Sequence, residues 1–337
     1  MNPAPPSPNL IFETMNAFQR TEALRAAIEL DLFSAIGAER RTAGEIAKTC
    51  QASARGIRIL ADYLVINGFL EKHGDQYLLT PTSRVFLDRA SPAYMGSVSE
   101  FLVTDEIRQS FGHLTDAVRK GGTAISAEGT VSYDNPIWVA FARAMRPMMQ
   151  LPSQLLAELV TAPVDRPLRV LDVAAGHGQF GIAVAQRFPH AQITALDWAN
   201  VLAVAAENAK AAGLGDRHHL LPGSAFDTDW GGPYDVILLT NFLHHFDEAT
   251  CDQLAAKTYA ALAPGGRALT LEFVPNADRV SPPATAGFAL TMLATTAHGD
   301  AYTFAEYERI FARAGFARSE FHPLVPTPQQ AVVSIKA

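Results

Sequence analysis

The chain has 337 residues, 48% of them hydrophobic and 18% charged, with a formal net charge of −7. That is enough apolar material for two cores of ordinary domain size, and the acidic balance, with no arginine block or basic tail, argues against nucleic acid and anionic membrane as partners. The two cysteines, Cys50 and Cys251, form no Cys-x-x-Cys pair, which predicts reduced structural thiols in a cytoplasmic protein.

Residues 1–9 are proline-rich and lack the basic-then-apolar layout of a signal peptide, so a short disordered tail is expected. No run of about 20 apolar residues follows that would span a bilayer. Across 10–33, Met15, Phe18, Leu24, Ile28 and Leu32 recur at helical spacing, giving one or two amphipathic helices with an apolar face to bury. After a turn near Thr42, a second helix over 53–67 carries Ile57, Leu60, Ala61 and Leu64 inward and ends at Gly68. Phe69-Leu70 and Tyr77-Leu78-Leu79, either side of a polar turn, form a two-stranded wing.

A winged helix suggests DNA binding first. Residues 1–100, however, hold ten Lys/Arg against eleven Asp/Glu, whereas a groove-reading domain is basic. Arg55 and Arg58 therefore read as a solvated face, and dimerisation is the expected role of a domain over 10–100. Residues 101–160 read as a mostly helical linker. Their aromatic and methionine load, including Phe101, Trp138, Phe141, Met145, Met148 and Met149, suits plain core or the wall of an apolar acceptor pocket, and the sequence leaves both open.

From residue 168 strands alternate with helices. Strands are expected over 168–173, 192–197, 219–221, 234–240 and 267–274, with helices such as 201–212 and 247–262, the latter closed by Pro264-Gly265-Gly266. This is the pattern of a parallel sheet wound on both faces. After a helix over 304–314, runs at 317–325 and 331–336 flank a Pro-Thr-Pro turn, and so short a connection joins antiparallel neighbours. The expected fold class is α/β: a Rossmann-like sheet over 161–337 ending in an antiparallel hairpin, plus a mainly α winged-helix domain.

Ligands of open sheets bind beyond the carboxyl ends of the strands. The first strand runs into a glycine turn, Leu168-Arg-Val-Leu-Asp-Val-Ala-Ala-Gly-His-Gly-Gln-Phe-Gly181, and Gly176-x-Gly178-x-x-Gly181 matches the dinucleotide fingerprint. Asp172 argues against that match, because it places an anion where a pyrophosphate would approach. The same acid suits S-adenosylmethionine, a cationic ligand without phosphate. Its plainer role is to cap its own turn. Asp197, about 20 residues past the turn, is placed to accept ribose hydroxyls. Gly223-Ser224-Ala225-Phe226 follows the third strand, and Asn241-Phe-Leu-His244-His245-Phe the fourth.

Taken with Leu262-Ala-Pro-Gly-Gly and Thr303-Phe-Ala-Glu306-Tyr, these segments resemble the class I S-adenosylmethionine methyltransferases. Within them they are similar to the small-molecule O-methyltransferases of the caffeate and hydroxyindole type and their bacterial relatives. The resemblance covers nearly the whole chain and implies an amino-terminal domain that forms a homodimer without binding DNA. It implies that Gly176, Gly178 and neighbouring Asp172 cradle the methionine end of the cofactor and Asp197 and Trp198 the ribose, with Ser224, Ala225, Phe226 and Thr240 near the adenine. It implies His244 as general base flanked by Glu272 and Glu306, no metal, S-adenosylhomocysteine as product, and Trp138, Phe141, Met145, Phe288 and Met292 as walls for the acceptor. Ala174-Ala175-Gly176 departs from the family's glycine triplet, Ser224 from its adenine-binding acid, and Thr240 from its lysine.

Three plainer readings stand beside this one. Thr303-x-x-Glu306 is also a capping box, His245 reads as a helix-start residue, and a lone histidine after a strand is often structural. Glu272 ends a buried strand, where an unpaired acid is costly. The alternatives in function are C- or N-methyl transfer, a relative that binds the cofactor without methylating, and a winged-helix ligand-sensing regulator.

Overall fold

The computed structural model describes residues 6–127, 129, 137–163 and 165–337. The first five residues of the expected tail lie outside that range, and helix begins at Asn9. The chain divides into two compact units, Met1–Val103 and Thr104–Ala337. The second unit takes in the helices of the expected linker.

In the first unit, helices Asn9–Met15 and Ala17–Glu29 precede a short helix Leu32–Ile36. Thr42 and Glu45 form a capping box for helix Ala43–Thr49, and Ser53 caps helix Ala54–Ile66 through the Gly56 N–H, each satisfying donors that have no partner inside the helix. Ile57, Ala61 and Leu64 point inward from the latter helix onto Phe33, Ile46 and Tyr77. The wing pairs Leu70–His73 antiparallel with Gln76–Leu79, and Arg41–Thr42 adds a third strand. Arg58 is engaged by Asp62 at 3.0 Å, and Asp62 also accepts from the Tyr77 hydroxyl. The first apolar face divides: Leu32 is buried, whereas Met15 and Phe18 are 70% and 64% exposed.

The second unit is built on a seven-stranded sheet. Its strands are β1 (Arg169–Val173), β2 (Gln192–Asp197), β3 (His218–Pro222), β4 (Tyr234–Thr240), β5 (Leu262–Glu272), β6 (Arg318–Pro323) and β7 (Gln330–Ile335). The order is β3-β2-β1-β4-β5-β7-β6, parallel up to β5. β7 enters antiparallel between β5 and β6, so the hairpin forms by inserting its second strand. Val170, Leu171 and Val173 of β1 and Ile237, Leu238 and Leu239 of β4 are fully buried, as expected of central parallel strands covered on both faces.

The helices α1 (Gln179–Arg187), α2 (Ala199–Ala211), α3 (Glu248–Ala261), α4 (Phe288–Thr295) and α5 (Phe304–Arg313) follow. One expected boundary moves: Pro264-Gly265-Gly266 lies inside β5, not between helix and strand. Pairing with β4 is broken there, from Tyr234 opposite Leu262 to Val236 opposite Arg267, which accommodates the proline and glycines as an irregularity. No described helix is long and apolar enough to cross a membrane.

Candidate active site

The parallel strands deliver their following residues to one end of the sheet. Beyond β1 the backbone turns through left-handed conformations at Ala174, Gly176 and Gly178, with φ of 53°, 55° and 71°. The glycines divide the work. A Cβ on Gly178 would meet the Ala205 Cβ at 3.1 Å, and one on Gly181 would meet Ile193 Cγ2 at 2.7 Å and Asp172 Oδ2 at 3.1 Å. Both allow helices to pack closely. Gly176 has only loose neighbours at 3.9 Å and lines a cavity of about 320 Å³.

Asp197, at the end of β2, closes the turn: its Oδ2 accepts the Gly176 N–H at 2.8 Å and its Oδ1 the Trp198 N–H at 2.7 Å. Burial, opposed by these two bonds, raises its pKa to about 6. Ser224 Oγ accepts the Phe226 N–H, while Lys257 Nζ donates to the carbonyls of Ala225, Phe226 and Thr228 and fixes that loop. Trp138, Phe141, Trp198, Phe226 and Thr240 complete this side of the wall, which holds two carboxylates, Asp197 and Asp227, and no lysine or arginine among the described lining residues.

Beyond β4 the chain makes a short 3₁₀ turn, Leu243–His245, held by Glu272 from the end of β5. Glu272 Oε1 accepts the N–H groups of Phe242 and Leu243 at 2.9 and 2.8 Å and that of His244 at 3.4 Å, while Oε2 pairs with His244 Nδ1. Glu272 is fully buried and His244 4% exposed. The carboxylate fixes the hydrogen on Nδ1 and leaves Nε2 as the basic nitrogen. His245 stacks on His244 with ring centroids 4.2 Å apart, and Phe288 meets His244 edge-on at 4.8 Å.

The expected site residues separate on this geometry. Trp138, Phe141, Gly176, Asp197, Trp198, Ser224, Ala225, Phe226 and Thr240 line the cavity. His244 and Glu272 form the pair just behind it. Met145 and Met292 are buried away from the lining, and Phe288 lies between His244 and Phe273. Asp172 does not reach the wall either. It is fully buried, its Oδ2 accepts the Gly181 N–H at 3.0 Å, and burial, opposed by that bond, raises its pKa to about 7. Its place is under the glycine turn, tying β1 to α1. Glu306 is likewise spoken for: its Oε2 accepts from the Thr303 N–H and hydroxyl at 2.8 Å, completing the capping box of α5, and its Oε1 pairs with Arg279.

The wall also takes in His177, Asn241 and His245, to none of which the sequence reading gave a ligand role. His177 Nδ1 accepts the Gln179 N–H at 3.1 Å, and burial, then the charge of Arg146, lowers its pKa to about 4. Asn241 has φ of 51° and a buried Oδ1 with no hydrogen-bond partner among the described residues. An asparagine directly after a buried strand was the available signal, since it tolerates left-handed backbone.

The chain matches the O-methyltransferase domain family over residues 111–317 and the O-methyltransferase dimerisation domain over 12–89. It belongs to the O-methyltransferase family. The crystal structure of a candidate O-methyltransferase from Nostoc punctiforme superposes with a TM-score of 0.95 at 53% identity, covering 98% of this chain and 100% of that one. The tetracenomycin polyketide synthesis 8-O-methyl transferase of Streptomyces glaucescens is 28% identical over 92% of this chain and 91% of its own. The acetylserotonin O-methyltransferase of Mus musculus is 28% identical over 91% and 83%. The resemblance to the S-adenosylmethionine-dependent methyltransferases, read from the ordered set of segments that follow the strands, therefore stands, and the chain is a methyltransferase.

Proposed function

We propose that this O-methyltransferase transfers the methyl group of S-adenosylmethionine to a hydroxyl of a small aromatic metabolite, with His244 as general base oriented by Glu272. The observation that carries the reading is the buried Glu272–His244 pair at the carboxyl end of the sheet, beside a cavity walled by aromatic rings and carboxylates. That wall suits a sulfonium and an adenosine better than a pyrophosphate, which would face two acids without a cation. Gly176 and its turn would hold the methionine end, Asp197 and Trp198 the ribose, and Ser224 to Phe226 with Thr240 the adenine. When bound, the cofactor supplies a methyl group on a cationic sulfur.

The remaining task is to align the acceptor and free its oxygen. A phenol with a pKa of about 10 does not give its proton outright to an imidazole with a pKa of about 6.5; that step is uphill by about 5 kcal/mol. Taking the proton as the bond forms avoids the penalty, and the carboxylate on Nδ1 stabilises the imidazolium that results. The relatives support the type of reaction: TcmO and acetylserotonin O-methyltransferase are both named for O-methylation.

The exposed Leu10, Phe12, Met15 and Phe18 support a homodimer through the dimerisation domain, as large exposed apolar patches mark interfaces. Calorimetry with S-adenosylhomocysteine and NAD tests the cofactor, and binding of NAD alone overturns it. His244→Ala should lower transfer at least about 100-fold while nearly preserving S-adenosylhomocysteine affinity. Unchanged turnover means another base, or methylation at carbon or nitrogen.

A further inference from the structure

The turn that carries His244 is held along two edges, and Glu272 holds only the first. It takes the N–H groups of Phe242, Leu243 and His244. The carbonyls of the turn face elsewhere. Phe242 O meets the N–H and the ring Nδ1 of His245 at 3.3 and 3.2 Å, and Leu243 O meets the Phe246 N–H at 3.2 Å, so these two find partners locally. The following carbonyls reach a different segment. The Asp300 N–H donates to His244 O at 3.0 Å, and the Tyr302 hydroxyl donates to Phe246 O at 2.6 Å. Buried carbonyls need such partners, so residues 299–302 fix where the backbone of His244 lies. Gly299 shows how closely: a Cβ there would stand 2.3 Å from the His244 carbonyl oxygen and 3.1 Å from the His245 carbonyl carbon.

Arg279, on the loop that follows Glu272, grips this segment. Its Nη1 donates to Asp300 Oδ2 at 3.3 Å and to the Ala301 carbonyl at 3.4 Å, and its Nη2 donates to Glu306 Oε1 at 2.5 Å. An exposed ion pair alone contributes little. A planar fork that meets acceptors on separate residues fixes geometry, which a lysine does not. The backbone of Arg279 has φ of 57°, a left-handed conformation unfavourable for a residue with a Cβ and kept where the surroundings over-determine it. The loop supplies that constraint, since the Arg279 N–H donates to Asn276 O at 2.9 Å and the Asn276 N–H to Ser281 O at 2.8 Å.

Resting on the reading of His244 as the base, we infer that Arg279 is a positioning residue for methyl transfer. Through Asp300 and Ala301 it seats residues 299–302 against the carbonyl edge of the turn, and so aims the Nε2 that Glu272 leaves basic. The pair with Glu306 tethers the start of α5. Glu272 and Arg279 thus hold the two edges of one turn from the same strand and the loop that leaves it. The base needs this because proton transfer works only within hydrogen-bond reach of the acceptor hydroxyl.

Three variants test it. Arg279→Gly removes the side chain at a φ that glycine adopts freely, so the loop keeps its path. Arg279→Lys keeps the charge without the fork, and Gly299→Ala displaces the segment from its other side. The reporter is the proton on His244 Nδ1, which is shared with the Glu272 carboxylate and resonates far downfield of the amides in one-dimensional NMR. Its absence in His244→Ala identifies it. With S-adenosylhomocysteine bound, the signal should shift or broaden in Arg279→Gly and Gly299→Ala and largely return in Arg279→Lys. The kcat for transfer from labelled S-adenosylmethionine to 1-naphthol should fall about tenfold in Arg279→Gly and about 100-fold in Gly299→Ala, as for small displacements of a reacting group. Arg279→Lys should stay within about threefold of wild type, and the calorimetric Kd for S-adenosylhomocysteine, which also reports folding, within about twofold throughout. In a His244→Ala background, Arg279→Gly should change the residual rate by less than about twofold, because residues that act through one another are not additive. A proton signal left in place by Arg279→Gly overturns the inference, and so does an equal fall in rate in both backgrounds. A His244→Ala enzyme as fast as the wild type overturns the reading of the base itself.

Discussion

Replacing Glu272 by Gln separates the orientation of His244 from its presence. In the protein Glu272 receives four N–H groups: three backbone donors on Oε1 and the His244 ring on Oε2. Glutamine can keep its single oxygen toward the three backbone donors, because the reverse orientation leaves them facing an NH₂ group at about 1–3 kcal/mol for each unmet donor. The NH₂ then points at His244 Nδ1. That nitrogen must become the acceptor, the hydrogen moves to Nε2, and the base is lost although the imidazole remains in place.

The expected fall in kcat is about 10²–10⁴, the range for loss of general base catalysis and for an orienting carboxylate turned into an amide. The loss of stability is smaller, about 1–3 kcal/mol, the difference between charged and neutral hydrogen bonds. Glu272→Ala differs, since it leaves buried donors unmet and should cost about 3–5 kcal/mol. Initial rates with labelled cofactor, S-adenosylhomocysteine calorimetry and thermal unfolding measure the three effects separately. A Glu272→Gln enzyme that keeps kcat within about threefold of wild type refutes the assignment of roles to this pair.

Three further outcomes are expected. Ala174 holds a φ of 53°, which costs an L-residue roughly 1–2 kcal/mol; less the greater unfolded-state freedom of glycine, Ala174→Gly should stabilise the protein by about 0.5–1 kcal/mol in denaturant unfolding, and a loss would mean the turn needs the methyl group. Asp172 has its pKa raised by burial to about 7, so its contribution to stability is fully present below about pH 4 and disappears as pH rises through 7. Asp172→Asn, whose amide oxygen can still accept from Gly181, should flatten this loss and be the more stable protein at pH 8, and identical pH–stability profiles would contradict it. Glu306→Ala should cost about 1–2 kcal/mol through the lost cap and Arg279 pair while leaving kcat within about twofold; a large fall in kcat would return Glu306 to the reaction.

The sequence by itself determined the strand–helix alternation, the closing hairpin and the ligand end of the sheet, because buried parallel strands need continuous apolar runs and the following turns need glycine. It placed Asp197 and the segment holding His244 at that end for the same reason, since both follow strands whose direction is known, whereas the roles of His244 and Glu272 came from the resemblance to the family. The roles of Asp172 and Glu306 were beyond it. An acid two residues before a turn can face a ligand or the helix beneath, and a capping box can coexist with a catalytic carboxylate; only the three-dimensional arrangement shows Gly181 and Thr303 taking those oxygens. The same holds for the wall. Met145 and Phe141 share one helical stripe, yet one is core and the other lines the cavity, because which side of a helix meets a void is decided by what packs opposite. The histidine pair is the sharpest case: adjacent residues in one dimension, they become stacked rings with separate anchors only when β5 brings Glu272 under the turn.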